Sequence, residues 1–266
     1  MLRRLDAELV HRKLARSRDH ARELIEAGVV QVAGLVAHKP ATQVRPDASI
    51  RVEAEETERY VSRGAHKLIG ALDRFSAGGL NVAGRLAMDA GASTGGFTQV
   101  LLERGASEVL AVDVGYGVLA WPLRNDERVH VYERMNIRNV QPSDLAFRPS
   151  LVVADLSFIS LRTVLPALSS IAAEDADLVL MVKPQFEVGK EAVGNGVVRD
   201  PQLRVSAVAG VAHVMQELGF GIRDVVASPL PGPSGNVEYF VWGTRGVEWC
   251  PQLDAMIAKA VSEGPQ

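Results

Sequence analysis

Five residues, Leu86-Ala-Met-Asp-Ala90, read as a short apolar strand and run straight into a glycine-rich turn, Gly91-Ala-Ser-Thr-Gly-Gly96. A helical pattern through Phe97, Val100 and Leu101 follows, and then a second apolar run, Val109 to Val114, which contains Asp113. A strand, a tight turn, a helix and another strand make a crossover unit, which pairs its strands in parallel and lays its helix on one face of the sheet. The alternation continues. Leu151–Ala154 reads as a strand ending at Asp155, and Leu161, Val164, Leu165 and Leu168 mark a helix. Asp177–Val182 reads as a strand ending at Lys183-Pro184. A long helix spans Pro201 to Leu218, with proline at its start and Gly219 at its end, and strands follow at Ile222–Val226 and Val237–Trp242. The expected fold is α/β, a mostly parallel, doubly wound sheet.

The glycine turn lies where such sheets bind ligands, and Asp113 follows it by about 20 residues, the spacing at which a carboxylate meets ribose hydroxyls. Close strand–helix packing alone also asks for glycine there. On spacing alone, NAD and S-adenosylmethionine both satisfy the pattern.

The first 46 residues are organised differently. Leu5, Leu9, Val10 and Leu14 recur at helical spacing; Ser17 stands where an N-cap belongs, and Ala21, Leu24 and Ile25 form the next stripe up to Gly28. Val29–Val32 and Ile50–Val52 read as short strands, with Ala33-Gly34 as a turn. The chain carries a formal charge of −3, yet residues 1–46 hold nine basic and five acidic side chains. A basic segment on an acidic chain points to a polyanionic partner or to a solvated helix surface. The acidic stretch Glu53 to Glu58 lacks an apolar face and reads as a linker. The expected organisation is therefore 1–58, 59–246, and a tail over 247–266 without a readable motif.

No apolar run approaches the ~18 residues of a membrane span, and Arg3, Arg4, Asp6 and Glu8 leave no room for a signal peptide's apolar core. Cys250 is the sole cysteine, so neither an internal disulfide nor a cysteine-based metal site is expected. A reducing cytoplasm is the simplest setting, with no metal and no membrane, and a monomer is favoured.

Two resemblances sharpen this reading. Arg4-Leu5-Asp6, Leu9, Leu14-Ala15, Ser17-Arg18, Ala21, Leu24-Ile25, Gly28, Val30, Val32, Gly34, Lys39-Pro40 and Val44 resemble the S4 RNA-binding domain. That domain packs two helices on a small sheet and reads structured RNA by shape and backbone. Asp89-x-Gly91-x-x-x-Gly95-Gly96-Phe97 looks like the cofactor loop of class I methyltransferases. The resemblance implies S-adenosylmethionine held by Asp89, Gly91, Ala92, Ser93, Gly95, Gly96, Phe97, Asp113 and Val114. Phe158 is expected either near the cofactor or in the core. Lys67 (in Ser62-Arg-Gly-Ala-His-Lys67), Asp155 (in Asp-Leu-Ser-Phe158), Lys183 (in Lys-Pro-Gln-Phe-Glu187) and Glu238 (in Gly232-Pro-Ser-Gly-Asn-Val-Glu238) resemble the Lys-Asp-Lys-Glu tetrad of ribose 2′-O-methyltransferases. Together with an S4 domain, these motifs are similar to the TlyA family from about Leu5 to Trp242. Its members are ribosomal RNA cytidine 2′-O-methyltransferases that also carry the name hemolysin. The basic N-terminal extension resembles the longer subtype, which modifies both ribosomal subunits.

The tetrad implies roles. A lysine acts as a base toward a ribose hydroxyl only when burial or a neighbouring cation makes its amine available. Lys183 is expected as that base, Asp155 as the group that orients it and touches the hydroxyl, and Lys67 and Glu238 as ribose-fixing residues. RNA phosphates are expected to meet Arg4, Arg16, Arg18 and Lys39 of the first domain and Arg63, Arg134, Arg138 and Lys190 of the second. Cytosine C5 methylation needs a cysteine nucleophile, and Cys250 lies past the last strand. Asp155-Leu-Ser-Phe158 also lacks the prolines of amino-group methyltransferases. A non-catalytic RNA-binding assembly factor is the alternative from another class. A membrane-active hemolysin fits poorly, for want of a spanning segment.

Overall fold

A computed structural model of the chain describes residues 2–12, 14–15, 18–26, 28–52, 59–232 and 234–264. Arg16, the Ser17 cap, the linker over 53–58, Pro233 and the side chain of Lys190 lie outside this description. The chain divides into two compact units, Met1–Arg59 and Tyr60–Gln266.

In the first unit, β1 (Arg3–Arg4) leads into α1 (Leu5–His11) and α2 (Arg18–Glu26), followed by β2 (Val30–Val32), β3 (Leu35–Val36), β4 (Gln43–Val44) and β5 (Ile50–Val52). Strand β2 pairs antiparallel with both β3 and β5, while β1 pairs with β4. Leu5 and Leu9, one helical turn apart, meet Ala21 and Ile25 from α2 and Val30 and Val44 from the strands in a small core. Gly28 ends α2 at φ +76°, a left-handed conformation that glycine adopts without a Cβ clash.

The second unit begins with α3 (Gly64–Ser76), β6 (Leu86–Ala90), α4 (Gly96–Glu103) and β7 (Glu108–Val112). Then come α5 (Trp121–Arg124), β8 (Val129–Tyr132), β9 (Leu151–Ala154), α6 (Leu161–Ile171) and β10 (Asp177–Val182). The chain continues through α7 (Pro184–Glu187), α8 (Lys190–Val193), α9 (Pro201–Glu217), β11 (Phe220–Ala227), β12 (Tyr239–Arg245) and α10 (Leu253–Glu263). The sheet order is β8-β7-β6-β9-β10-β12-β11, with β8 through β10 mutually parallel and β12 antiparallel to both its neighbours.

Burial on both faces explains the unbroken apolar runs of β9 and β10. In β10, Leu178, Leu180 and Val182 enter one core with α6, α9 and α10, while Val179 and Met181 enter the other with α3 and α4. That split is the two-residue period of a strand.

Two sequence expectations change. Residues 247–266 do not form a featureless tail, because Leu253, Ile257, Ala260 and Val261 on α10 sit in the core. Strand β8 was not expected. Its side chains are all half-buried at the sheet edge, so it lacks the apolar density of its neighbours.

Candidate active site

The carboxyl ends of β6, β7, β9 and β10 bring the candidate residues together. Gly91, at φ +89°, turns the chain back so that its N–H donates to Val112 O. A Cβ there would lie 2.5 Å from the Asp155 carbonyl oxygen, so glycine lets the β6 turn touch the β9 turn. Gly96 is filled in the same sense, since a Cβ would collide with Ser62 and crowd the Ala65 amide. The last glycine of the turn thus brings the start of α3, and with it Lys67, against the loop.

Asp113 is fixed by two amides. Its Oδ2 accepts from Ser93 N at 2.8 Å and its Oδ1 from Gly115 N at 2.6 Å. A narrow cleft opens beside it, lined by Ala92, Ser93, Asp113, Gly115, Val118, Leu119, Val131 and Glu133. Apolar walls beside the Asp113 carboxylate match a nucleoside, whose base seeks apolar surface and whose ribose seeks acceptors. Sequence reasoning missed Gly115, Val118, Leu119, Val131 and Glu133. The last two belong to β8 and its end, the strand that was overlooked, and a two-residue alternation through Val129 and Val131 was the available signal.

Several expected cofactor residues serve the scaffold instead. Asp89 is fully buried, and its Oδ2 accepts from the Thr98 amide and hydroxyl at 2.8 and 2.7 Å, pinning α4 beneath the loop. Burial, opposed by the Thr98 hydrogen bonds, pushes its carboxyl up to about 7. Phe97 is buried against Phe240, with ring centres 6.1 Å apart. The space a side chain would need at Gly95 is taken by Leu119 and Leu123. Val114 points to solvent outside the cleft lining. Phe158 is neither core nor cleft wall. It is 91% exposed at φ +64°, and its ring lies 5.3 Å from that of Phe186.

The four residues of the tetrad form two ion pairs. Lys67 Nζ donates to Glu238 Oε2 at 2.6 Å, and both side chains are buried. Lys183 Nζ lies 2.6 Å from Asp155 Oδ1, outside hydrogen-bond orientation, and donates to Ser157 Oγ at 2.8 Å. Sheet register brings the pairs together. Val182 faces Tyr239 across the β10–β12 ladder, so Lys183 and Glu238 occupy the next opposed positions. Asp155 follows β9 and donates its N–H to Ala90 O. The buried Lys67–Glu238 pair returns little stability because desolvation offsets its attraction. The position of both pairs at the strand ends marks a site where charge is needed.

Among the RNA candidates, Arg4 and Arg18 both reach the buried Asp6, at 2.9 and 3.1 Å. The Arg4 hydrogen bonds, opposed by burial and helped by Arg18, hold the Asp6 carboxyl down at about 2. A guanidinium has five N–H donors, so both half-exposed arginines keep donors for another anion while Asp6 fixes their direction. Lys39, Arg63 and Arg138 are exposed, and Arg134 lies 4.3 Å over the ring of Tyr116.

Comparison with known proteins gives a consistent picture. Residues 60–245 match the family of FtsJ-like methyltransferases, and residues 3–50 match the S4 domain. The 16S/23S rRNA (cytidine-2′-O)-methyltransferase TlyA of Mycobacterium tuberculosis is 58% identical over 266 residues, covering 98% of each chain. Hemolysin A of Brachyspira hyodysenteriae is 36% identical over 239 residues, covering 89% of this chain and 97% of its own. A solved hemolysin-named protein of Streptococcus thermophilus superposes with a TM-score of 0.77 at 35% identity, covering 98% of this chain and 95% of its own. Among the described residues, no helix is long and apolar enough to cross a membrane.

Proposed function

The chain belongs to the FtsJ-like methyltransferase family and carries an S4 domain at its N-terminus, and on that premise we propose that it methylates cytidine 2′-hydroxyls of 16S and 23S ribosomal RNA within the ribosomal subunits, in the cytoplasm. The observation that carries this reading is the two lysine–carboxylate contacts at the strand ends, one buried and one part-buried, beside a cleft suited to a nucleoside. A non-catalytic assembly factor would have no use for two such pairs.

When bound, S-adenosylmethionine supplies a methyl carbon activated by a sulfonium. Ala92, Ser93 and Asp113 would hold it, Asp113 by accepting from ribose hydroxyls. The acceptor hydroxyl is placed at Lys183, whose amine is steered by Asp155 and Ser157. Lys183 would take the hydroxyl proton at Nζ, and Asp155 would hold the lysine and orient the hydroxyl beside it. Lys67 and Glu238 position the acceptor ribose. Arg4, Arg18, Lys39, Arg63, Arg134 and Arg138, with Arg16 and Lys190, hold phosphates and set the salt dependence of binding. The target nucleotide leaves its helix to reach the site.

Incubating the protein with isolated small and large subunits and methyl-labelled S-adenosylmethionine is expected to label both RNAs. Label in neither subunit would contradict the reading. The cofactor assignment is tested separately by calorimetry. Asp113→Ala removes a charged acceptor whose hydrogen bonds are worth roughly 1.5–3 kcal/mol each, so affinity falls about tenfold or more. Unchanged affinity would move the cofactor elsewhere.

A further inference from the structure

Glu187 lies close to the strand ends and is 6% exposed, yet the chemistry above makes no use of it. We infer that Glu187 is a positioning residue: it locks the loop after β9 to the turn after β10 and so keeps Lys183 in register with Asp155 and Ser157. This rests on the assignment of those residues to methyl transfer.

The geometry is that of two short rails joined at both ends. At the first end, Lys183 donates to Ser157 Oγ and lies against Asp155. At the other end, Glu187 Oε2 accepts from Ser160 Oγ and Oε1 accepts from Leu161 N, both at 2.6 Å. Between them, Phe158 lies beside Phe186. The β9 rail, residues 155–160, has no helix or strand of its own, and Ser157 and Phe158 on it are exposed. Its start is held by the Asp155 bond to Ala90 O and by the packing of Leu156 and Ile159, and these joints fix the rest of it relative to Lys183. The β10 rail is the four-residue helix α7, Pro184–Glu187, too short to hold itself.

Glu187 is suited to the task because every partner is a donor. Leu161 N is the first amide of α6, an eleven-residue helix whose N-terminus favours negative charge. Ser160 caps the same helix by accepting from Arg162 N and donates its own hydroxyl to Glu187. Arg162 adds Nε to Oε2 at 3.2 Å and Nη2 to the Glu187 carbonyl at 2.6 Å. Glutamine at 187 would turn an NH2 toward one of these donors, leaving a buried mismatch. Arg162 is different. Its side chain is 46% exposed, so it reinforces the joint from outside while the Ser160 and Leu161 bonds close it.

Four proteins test this: the full chain, Glu187→Gln, Ser160→Ala and Arg162→Ala. Single-turnover methylation of ribosomal subunits is measured at saturating RNA and cofactor, with both affinities and the thermal midpoint recorded. Displacing a reacting group by about an ångström costs up to roughly 100-fold. Glu187→Gln is expected to slow the step by roughly 10- to 100-fold, with both affinities held within about threefold. Ser160→Ala should show a smaller loss of the same kind, and serves as the readout if Glu187→Gln does not fold. Arg162→Ala takes a cation from the buried Glu187 carboxylate and should lose thermal stability, while its rate stays within about threefold of the parent. The inference is overturned if Glu187→Gln, or Ser160→Ala in its place, keeps the parent rate. A loss confined to affinity, or a rate that follows the thermal midpoint across all variants, also overturns it. An inactive parent would instead overturn the proposed reaction.

Discussion

Single-turnover methyl transfer by the Lys183→Ala variant is expected to fall roughly 100- to 10,000-fold, the contribution of a positioned general base, while cofactor and RNA affinities stay close to those of the parent. The expectation follows from where the amine sits. Lys183 is 8% exposed at the end of β10, with Asp155 on one side and Ser157 on the other. Lys183→Arg separates two roles that the alanine variant confounds. A guanidinium stays protonated and cannot accept the hydroxyl proton, so the arginine variant should be as inactive as the alanine one. Appreciable activity in it would make Lys183 an electrostatic clamp rather than a base.

The second large effect is on stability. Glu238→Ala leaves the Lys67 ammonium buried without its counter-charge. Removing one partner of a buried pair costs about 3–5 kcal/mol, and for a unit of this size each kcal/mol lowers the midpoint by roughly 2–4 °C. The paired change Lys67→Met with Glu238→Leu removes both charges at similar volume, and should recover most of the stability while methyl transfer stays lost. Denaturant unfolding of the three proteins checks this. Equal destabilisation of the single and paired variants would mean that packing, and not an unpaired charge, sets the cost. An active paired variant would remove these residues from the reaction.

The features legible in the sequence were those with strong local causes. Gly91 and Gly96 stand out because a side chain at either would strike Asp155 or Ser62. The fully buried β9 and β10 show as unbroken apolar runs, and their ends place Asp155 and Lys183 side by side. Lys67 and Glu238, 171 residues apart, could be joined only by resemblance, since no local pattern links the start of α3 to the start of β12. The cleft was only half legible. Ala92, Ser93 and Asp113 line it, but Asp89 and Phe97 in the same motif turn inward to hold α4 and the core. A motif gives residue identity and spacing, while the facing of each side chain is decided by the packing beneath it. The pattern of α10 was there to read: Leu253, Met256, Ile257, Ala260 and Val261 recur at helical spacing and join the core with α9 and β11.

The central claim is that the methyl group goes to a cytidine ribose oxygen. It is tested most directly by mapping the product, because a 2′-O-methyl group makes the adjoining phosphodiester bond resistant to alkaline cleavage. RNA from small and large subunits treated with the protein and cofactor should each gain an alkali-resistant linkage at a cytidine, absent when Lys183→Ala is used. Methyl label on a nucleobase, with every linkage still cleaved by alkali, would contradict the account.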